Sequence, residues 1–262
     1  MKRRWLIILG GLLCCVCAPA AYEVDVSLVS GAIIKADKIE RVDDFLVLGP
    51  SDRRISLEVV ERLEFRFRDL SVEMCASLYE SGRLSVLKSR LDQLLFPLVA
   101  MKGISSNLAP YWYWLVRSEY WEGNRSGTLQ GIEALRQEED TLWVRSADMY
   151  AVLLALDDRD LKQAEAIFGR IENPDEVSVA MNLYVRGRLA MARGEWKESL
   201  QHMVKIVALH GRNREWLAPA LYAEAELYQR LGSNDLVVQV VTELERTFPE
   251  SDWVAKGREL LN

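Results

Sequence analysis

The sequence predicts a mainly α-helical protein of the α+β class, in which a small N-terminal β-barrel precedes a solenoid of helical hairpins with a C-terminal capping helix. Apolar and polar side chains alternate with a period of two over residues 22–68, and the apolar period changes to 3.6 from Leu70 onward. Compact residues then recur about every 35 positions, which is typical of a repeat architecture. We therefore expect a leader over residues 1–20, a barrel over 21–68 and a solenoid over 69–262.

The first 20 residues have the features of a secretory signal peptide. Three basic residues precede an apolar run of 13 residues from Trp5 to Cys17, which is shorter than the roughly 20 residues that span a bilayer. Ala18 and Ala20 are small residues at the spacing that signal peptidase reads, so cleavage is expected after Ala20. An uncleaved anchor is the alternative. A lipid anchor is disfavoured, because no leader cysteine directly follows a small residue.

Removal of the leader makes the chain more acidic. The leader holds three of the 33 basic residues and none of the 39 acidic ones, so the formal charge changes from −6 to −9. This balance disfavours nucleic acid as a partner, because Lys and Arg contacts to phosphate carry most of that affinity. Three of the four cysteines lie in the leader, which leaves Cys75 without a partner for an internal disulfide. No further segment is apolar and long enough to cross a membrane.

Four or five short strands are predicted over residues 22–68, with turn signals at Ser30-Gly31, at Asp43-Asp44 and from Gly49 to Asp52. A strand ending in "SG", a long second strand, a hairpin and a final "VERLEFRF" resemble the SH3-like and Sm-like small barrels. An Sm-like barrel would suggest RNA. We do not expect RNA here, because the segment carries more acidic than basic residues and is predicted to be exported.

Four helix–turn–helix units are predicted beyond position 110. Compact residues spaced 36, 35 and 38 apart are Val116, Val152, Gly187 and Ala225. Turn residues seven positions later are Gly123, Arg159, Gly194 and Gly232. Compact or apolar residues also follow at offsets of 12, 16 and 19 in each unit. In such a register, compact residues let the two helices of a unit approach closely.

These units resemble tetratricopeptide repeats, most clearly in "PALYAEAELYQRLG" followed by "VVTELERTFPES". The resemblance covers roughly residues 110–250, with a weaker fifth unit over 72–99. The final "TFPESDWVAKGRELL" is similar to modules of periplasmic envelope-assembly and division-coordinating proteins. The resemblance implies that Pro249 closes the last unit and that residues 251–261 form a capping helix.

The sequence shows no catalytic or metal-binding constellation, so we expect neither an enzyme nor a cofactor. His202 and His210 are the only histidines, and they lack nearby ligands at the spacing of a zinc site. Cys75 stands at a compact position of the weak first unit, where packing is the expected role. Phosphate-binding loops, nucleophile elbows and dinucleotide fingerprints are absent from the sequence.

The residues three positions before, one position after and four positions after each compact residue lie together on a second face of the first helix of the unit. This face is called the inner stripe. In tetratricopeptide proteins this helix lines the concave face, so the resemblance implies a peptide-binding groove along the stripe. Tyrosine and arginine are also enriched at binding hot spots. The candidate groove residues are Tyr113, Arg117, Tyr120, Met149, Tyr184, Arg188, Tyr222 and Glu226. The alternative is that the stripe packs against the barrel or inside a tight superhelix.

The function expected from these patterns is an exported, non-catalytic scaffold that binds a protein or peptide segment in the groove during envelope assembly or maintenance. An exported hydrolase or a glycan-binding protein is the alternative. It would use the six aromatic residues between Tyr111 and Trp121 as a ligand platform, although Trp112 is expected in the core. A structural homo-oligomer assembled through the barrel is a third possibility.

The leader predicts a mature N-terminus at Ala21. The intact mass of protein recovered after export is expected to lack residues 1–20. A retained leader, or the added mass of a diacylglycerol on a cysteine, would contradict this prediction.

Overall fold

The computed structural model describes residues 22–49, 52–138 and 141–261, and the predicted leader with its cleavage site lies outside them. These residues form a small antiparallel sheet region followed by eleven α-helices. The strands are β1 (Tyr22–Leu28), β2 (Ile33–Ala36), β3 (Lys38–Val42), β4 (Phe45–Gly49), β5 (Arg53–Ser56) and β6 (Val60–Phe67). The helices are α1 (Val72–Glu80), α2 (Leu84–Leu95), α3 (Ala109–Trp121), α4 (Arg125–Leu135), α5 (Thr141–Asp157), α6 (Leu161–Phe168), α7 (Val179–Arg193), α8 (Trp196–Leu209), α9 (Arg214–Arg230), α10 (Asn234–Thr247) and α11 (Asp252–Glu259). Short 3-10 helices span Leu57–Val59, Phe96–Met101 and Pro174–Glu176. The expected α+β class, mainly α, is confirmed.

The strands form two three-stranded antiparallel sheets, with the orders β2-β1-β6 and β3-β4-β5. Only Asp37 separates β2 from β3, so these two strands act as one bent strand that links the sheets. Alternate side chains point into a shared core, as a period of two requires. The buried members of this alternation are Val24, Val26, Ile39, Leu46, Leu48, Ile55, Leu63 and Phe65.

No closed barrel is present in the described part of the chain, because β5 and β6 do not pair with each other. The segment 105–107 covers the outer edge of β6 instead. The Leu63 amide donates to the Ser105 carbonyl at 2.9 Å. The Asn107 side chain accepts from the Phe65 amide and donates to the Phe65 carbonyl, each at 2.8 Å. A side-chain amide thus takes the place of a neighbouring strand and protects an edge that would otherwise attract other chains.

The helices from α3 to α10 pack as four consecutive antiparallel pairs with the predicted register. Residues in the left-handed backbone region end the first helix of each pair, and they are Gly123, Arg159, Gly194 and Gly232. Side chains that accept a hydrogen bond from a helix N-terminal amide include those of Asn124, Asp160, Ser178 and Asn213. These caps compensate the unpaired amides of a first turn. The helical-hairpin repeat is therefore present, and α11 follows the fourth pair.

Facing positions within a pair compensate one another in size. In the first pair, Val116 occupies the repeat position that the smaller Gly187 occupies in the third pair. Gly131 faces Val116, however, and a β-carbon on Gly131 would lie only 2.6 Å from a Val116 methyl group. In the third pair the glycine is on the first helix, and the Ser199 hydroxyl donates to the Gly187 carbonyl at 2.8 Å. Each of these pairs therefore places one glycine at its closest approach.

We expect Gly187→Leu to lower the free energy of unfolding by about 1–3 kcal/mol, as overpacking of a close contact does. A β-carbon at Gly187 would lie 2.5 Å from the terminal methyl of Met203 and 3.2 Å from the β-carbon of His202. Gly187→Ala is the matched control. It should cost less, because the Met203 methyl can move and alanine favours a helix by about 1 kcal/mol over glycine. Urea unfolding measures both, and a neutral Gly187→Leu would contradict the packing.

Candidate functional site: a cavity at the end of the inner face

The inner face is the surface formed by the first helices of the four pairs, α3, α5, α7 and α9. The structure divides the inner stripe into two parts. Its first part, on α3 and the middle of α5, lies in a packed interior. Its second part, on α7 and α9, lines a cavity. The division arises because the row of first helices curls until α3 meets α9.

A buried ion pair joins α3 to the first turn of α9. The Arg117 Nε donates to Glu215 Oε1 at 2.8 Å, and a terminal guanidinium nitrogen of Arg117 pairs with Oε2. The Glu215 carboxylate also accepts from the Trp121 ring nitrogen at 3.1 Å and from the Tyr150 hydroxyl at 2.6 Å. The two charged side chains are only 17% and 5% exposed. Such short, charge-assisted hydrogen bonds are what an ion pair shielded from water requires.

Aromatic rings surround this ion pair. The Arg117 guanidinium lies 4.0 Å from the centroid of the Tyr79 ring and 4.5 Å from that of Trp114, which is a cation–π arrangement. Burial, followed by the charge of Glu215, raises the pKa of Tyr113 to about 12. The same causes, in the same order, raise the pKa of Tyr150. Both hydroxyls therefore stay protonated at neutral pH, and the Tyr150 hydroxyl acts as a donor to Glu215.

Three of the candidate groove residues lie in this interior and do not reach the cavity. Met149 is fully buried, and Arg117 is held by Glu215. The Tyr113 ring packs against Trp143 at 5.0 Å between centroids. Their role is to fill the inside of a tightly curled helical row, which was the alternative expectation for the stripe.

The aromatic run from Tyr111 to Trp121 is also mostly interior. Tyr111, Trp112 and Trp114 are buried, and Trp112 occupies the core as expected. Trp121 packs edge-on against Trp216 at 5.4 Å between ring centroids. These rings are engaged by other side chains, so they do not form an exposed ligand platform.

A cavity of about 710 Å³ lies at the other end of the inner face. It will be called the terminal cavity. Helices α5, α7, α9 and α11 form its walls, together with the turn after α5 and the start of α8. Its lining includes four candidate groove residues, which are Tyr184, Arg188, Tyr222 and Glu226. Its volume falls within the roughly 300–1,000 Å³ of ligand sites.

Two ion pairs fix the charged walls of the terminal cavity. Arg188 pairs with Asp157 at 2.9 Å and donates to the Tyr184 hydroxyl at 3.2 Å. The remaining candidate, Tyr120, donates to the other Asp157 oxygen at 3.0 Å, so it supports the cavity from α3. Arg230 pairs with Glu226 at 2.8 Å. Buried tyrosines and paired charges therefore give the floor a defined shape.

An aromatic wall completes the terminal cavity. Trp253 of α11 packs against Tyr222 with 5.3 Å between ring centroids, and Trp196 contributes a further ring under the Arg230 guanidinium. Trp253 and Tyr222 are both half-buried, so part of each ring faces the open space. The lining residues that were not among the sequence candidates include Arg159, Trp196, Trp253, Lys256 and Glu259. The apolar Trp253 in the expected capping helix was the signal that could have found this wall.

A second cavity of about 750 Å³ lies between α2 and α4, with the exposed Phe96 and Leu129 at its edge. None of the candidate groove residues lines it. The described residues contain no group of His, Cys, Asp or Glu side chains that could hold a metal ion. Among these residues, no helix has both the length and the apolar character needed to cross a membrane. Comparison of the chain with protein-family models, curated proteins and solved structures gave no match.

We expect Arg117→Leu to lower the free energy of unfolding by about 3–5 kcal/mol, because it leaves the Glu215 carboxylate buried without its counter-charge. Arg66→Leu is the matched control. It breaks an ion pair with Asp25 in which Arg66 is 49% exposed, and because water screens such a pair its loss should cost much less. Urea unfolding compares the two variants, and equal losses would contradict the buried role of Arg117.

Proposed function

We propose that this protein is an exported, non-catalytic adaptor of the bacterial cell envelope that binds a segment of another protein in the terminal cavity. One observation carries the proposal. Three successive hairpin units and α11 border a space of about 710 Å³ lined by Tyr184, Arg188 and Tyr222, which the resemblance to tetratricopeptide repeats had implied as groove residues. Tetratricopeptide-like solenoids, which the sequence resembles, place ligands against the same helices.

The chemistry of the cavity supports a binding role. Half-buried aromatic rings such as Tyr222 and Trp253 supply apolar contact area with little loss of side-chain freedom. Paired charges beside them, such as Arg188 with Asp157, supply hydrogen-bond donors and acceptors whose positions are already fixed. A rigid, partly apolar site of this kind suits an extended or helical peptide segment.

A catalytic role receives no comparable support. Burial raises the pKa of the Cys75 thiol to about 12, so little thiolate exists at neutral pH and this residue is a poor nucleophile. The aromatic run that a hydrolase or glycan-binding protein would use lies in the interior between α3 and its neighbours.

The proposed location rests on the leader and on the resemblance. The basic, apolar and small-residue segments at the N-terminus follow the order of a secretory signal peptide. Two linked antiparallel sheets with a 3-10 turn before the last strand support the resemblance of this segment to small SH3-like domains. This sheet region would give the adaptor a second surface for assembly or partner contact.

Photo-crosslinking in cells tests the proposal. We expect a photoreactive amino acid at Tyr222 to capture one dominant envelope protein. The same amino acid at Leu209, which is 73% exposed at the end of α8 and outside the cavity, should capture nothing in common with it. Equal capture at both positions, or none at Tyr222, would contradict binding in the terminal cavity.

Once the captured protein is purified, Tyr222→Ala is expected to weaken its binding about thirtyfold, which corresponds to a hot-spot loss of roughly 2 kcal/mol. Leu209→Ala is the matched control and should bind like the wild type. Tyr184 is a less suitable probe, because it is buried against Trp216 and its truncation would alter the fold.

A further inference from the structure

The charges that line the terminal cavity are not all paired. Arg188 and Arg230 are neutralised by Asp157 and Glu226. Two other cations on opposite walls, Arg159 and Lys256, form no ion pair within 4 Å in the described ranges. The cavity is thus left with free positive charge although the whole chain is acidic, at −6.

Arg159 adopts a backbone conformation that is unfavourable for a residue with a β-carbon. It lies in the left-handed region at φ 62°, whereas the corresponding turns of the other three units carry glycine at φ 74–80°. Glycine adopts this conformation freely, and a side chain with a β-carbon does so less readily. A β-carbon at Gly123 or Gly232 would contact nothing within 4 Å, so only the backbone disfavours a side chain there. Only the second unit places a side chain in this unfavourable conformation at its turn, and the turn lies at the edge of the terminal cavity. The strain therefore points to a role for the Arg159 side chain in binding.

Lys256 approaches the cavity from α11. Its ammonium group lies 4.2 Å from the centroid of the Trp253 ring, which in turn packs on Tyr222. One free carboxylate, Glu259, lies a turn further along α11. Two free cations and one free carboxylate leave the lining with an excess positive charge directly beside its aromatic wall.

We infer that the ligand of the terminal cavity is an acidic peptide segment. An apolar side chain of the segment contacts Tyr222 and Trp253, and its flanking carboxylates pair with Arg159 on one wall and Lys256 on the other. This inference rests on the proposed function, and it adds the chemical class of the bound segment. Positive charge on both sides of an apolar contact favours an acidic segment over a neutral or basic one.

Selection from a phage-displayed library of random 12-residue peptides tests the inference with the full mature protein. We expect the selected peptides to be enriched in Asp and Glu around an apolar residue. Their affinity should fall about tenfold with Arg159→Gly and with Lys256→Ala, as loss of a charge-assisted hydrogen bond implies. Lys162→Ala is the matched control: it removes a cation three residues away that is exposed and outside the cavity lining, and it should leave binding unchanged.

Arg159→Gly also separates binding from folding. Its melting temperature should equal or exceed that of the wild type, since glycine relieves the left-handed strain. Weaker binding by a protein of unchanged or higher stability supports the inference. Neutral or basic peptides that still depend on Tyr222 would overturn the inference and leave the proposed function standing, as would acidic peptides that bind both cation variants normally. Failure to select any peptide would contradict both.

Discussion

The arrangement of the helical region depends on the buried ion pair between Arg117 and Glu215. Repeat arrays usually contact only their neighbours, yet this pair joins the first and fourth hairpins across 98 residues of sequence. Two charges can remain away from water here because the carboxylate accepts hydrogen bonds from arginine, tryptophan and tyrosine donors, and the guanidinium lies on aromatic rings. The ion pair therefore joins the two ends of the row of first helices, together with the packing of Trp121 on Trp216.

The curl of this row explains both the buried aromatic residues and the position of the cavity. Where α3 meets α9, Tyr113, Tyr150 and Trp216 fill the inside of the curl and exclude a ligand. Further along the row, no described first helix lies opposite α7 or the later turns of α9, and α11 stands at a distance that leaves about 710 Å³ open. Packing and binding thus use the same helix face at different points along the array.

The repeat register could be predicted from sequence because each unit contacts the next through compact residues at fixed offsets. Gly187 and its turn at Gly194 lie where those offsets placed them, and the helix that the resemblance implied after Pro249 is present as α11. The split of the inner stripe could not be predicted, because it depends on Arg117 meeting Glu215, and no local pattern links residues so far apart. Barrel closure failed as a prediction for a similar reason, since Asn107, outside the strand segment, covers the edge of β6.

A double-mutant cycle on Arg117 and Glu215 tests the closure of the helical row most directly. The unfolding free energies of Arg117→Met, Glu215→Met and the double variant give the coupling between the two positions. The structure predicts a favourable coupling of about 2 kcal/mol or more, because either single variant leaves a buried charge that the double variant removes. Additive effects, with a coupling below about 0.5 kcal/mol, would show that α3 and α9 are not in contact and would contradict this account.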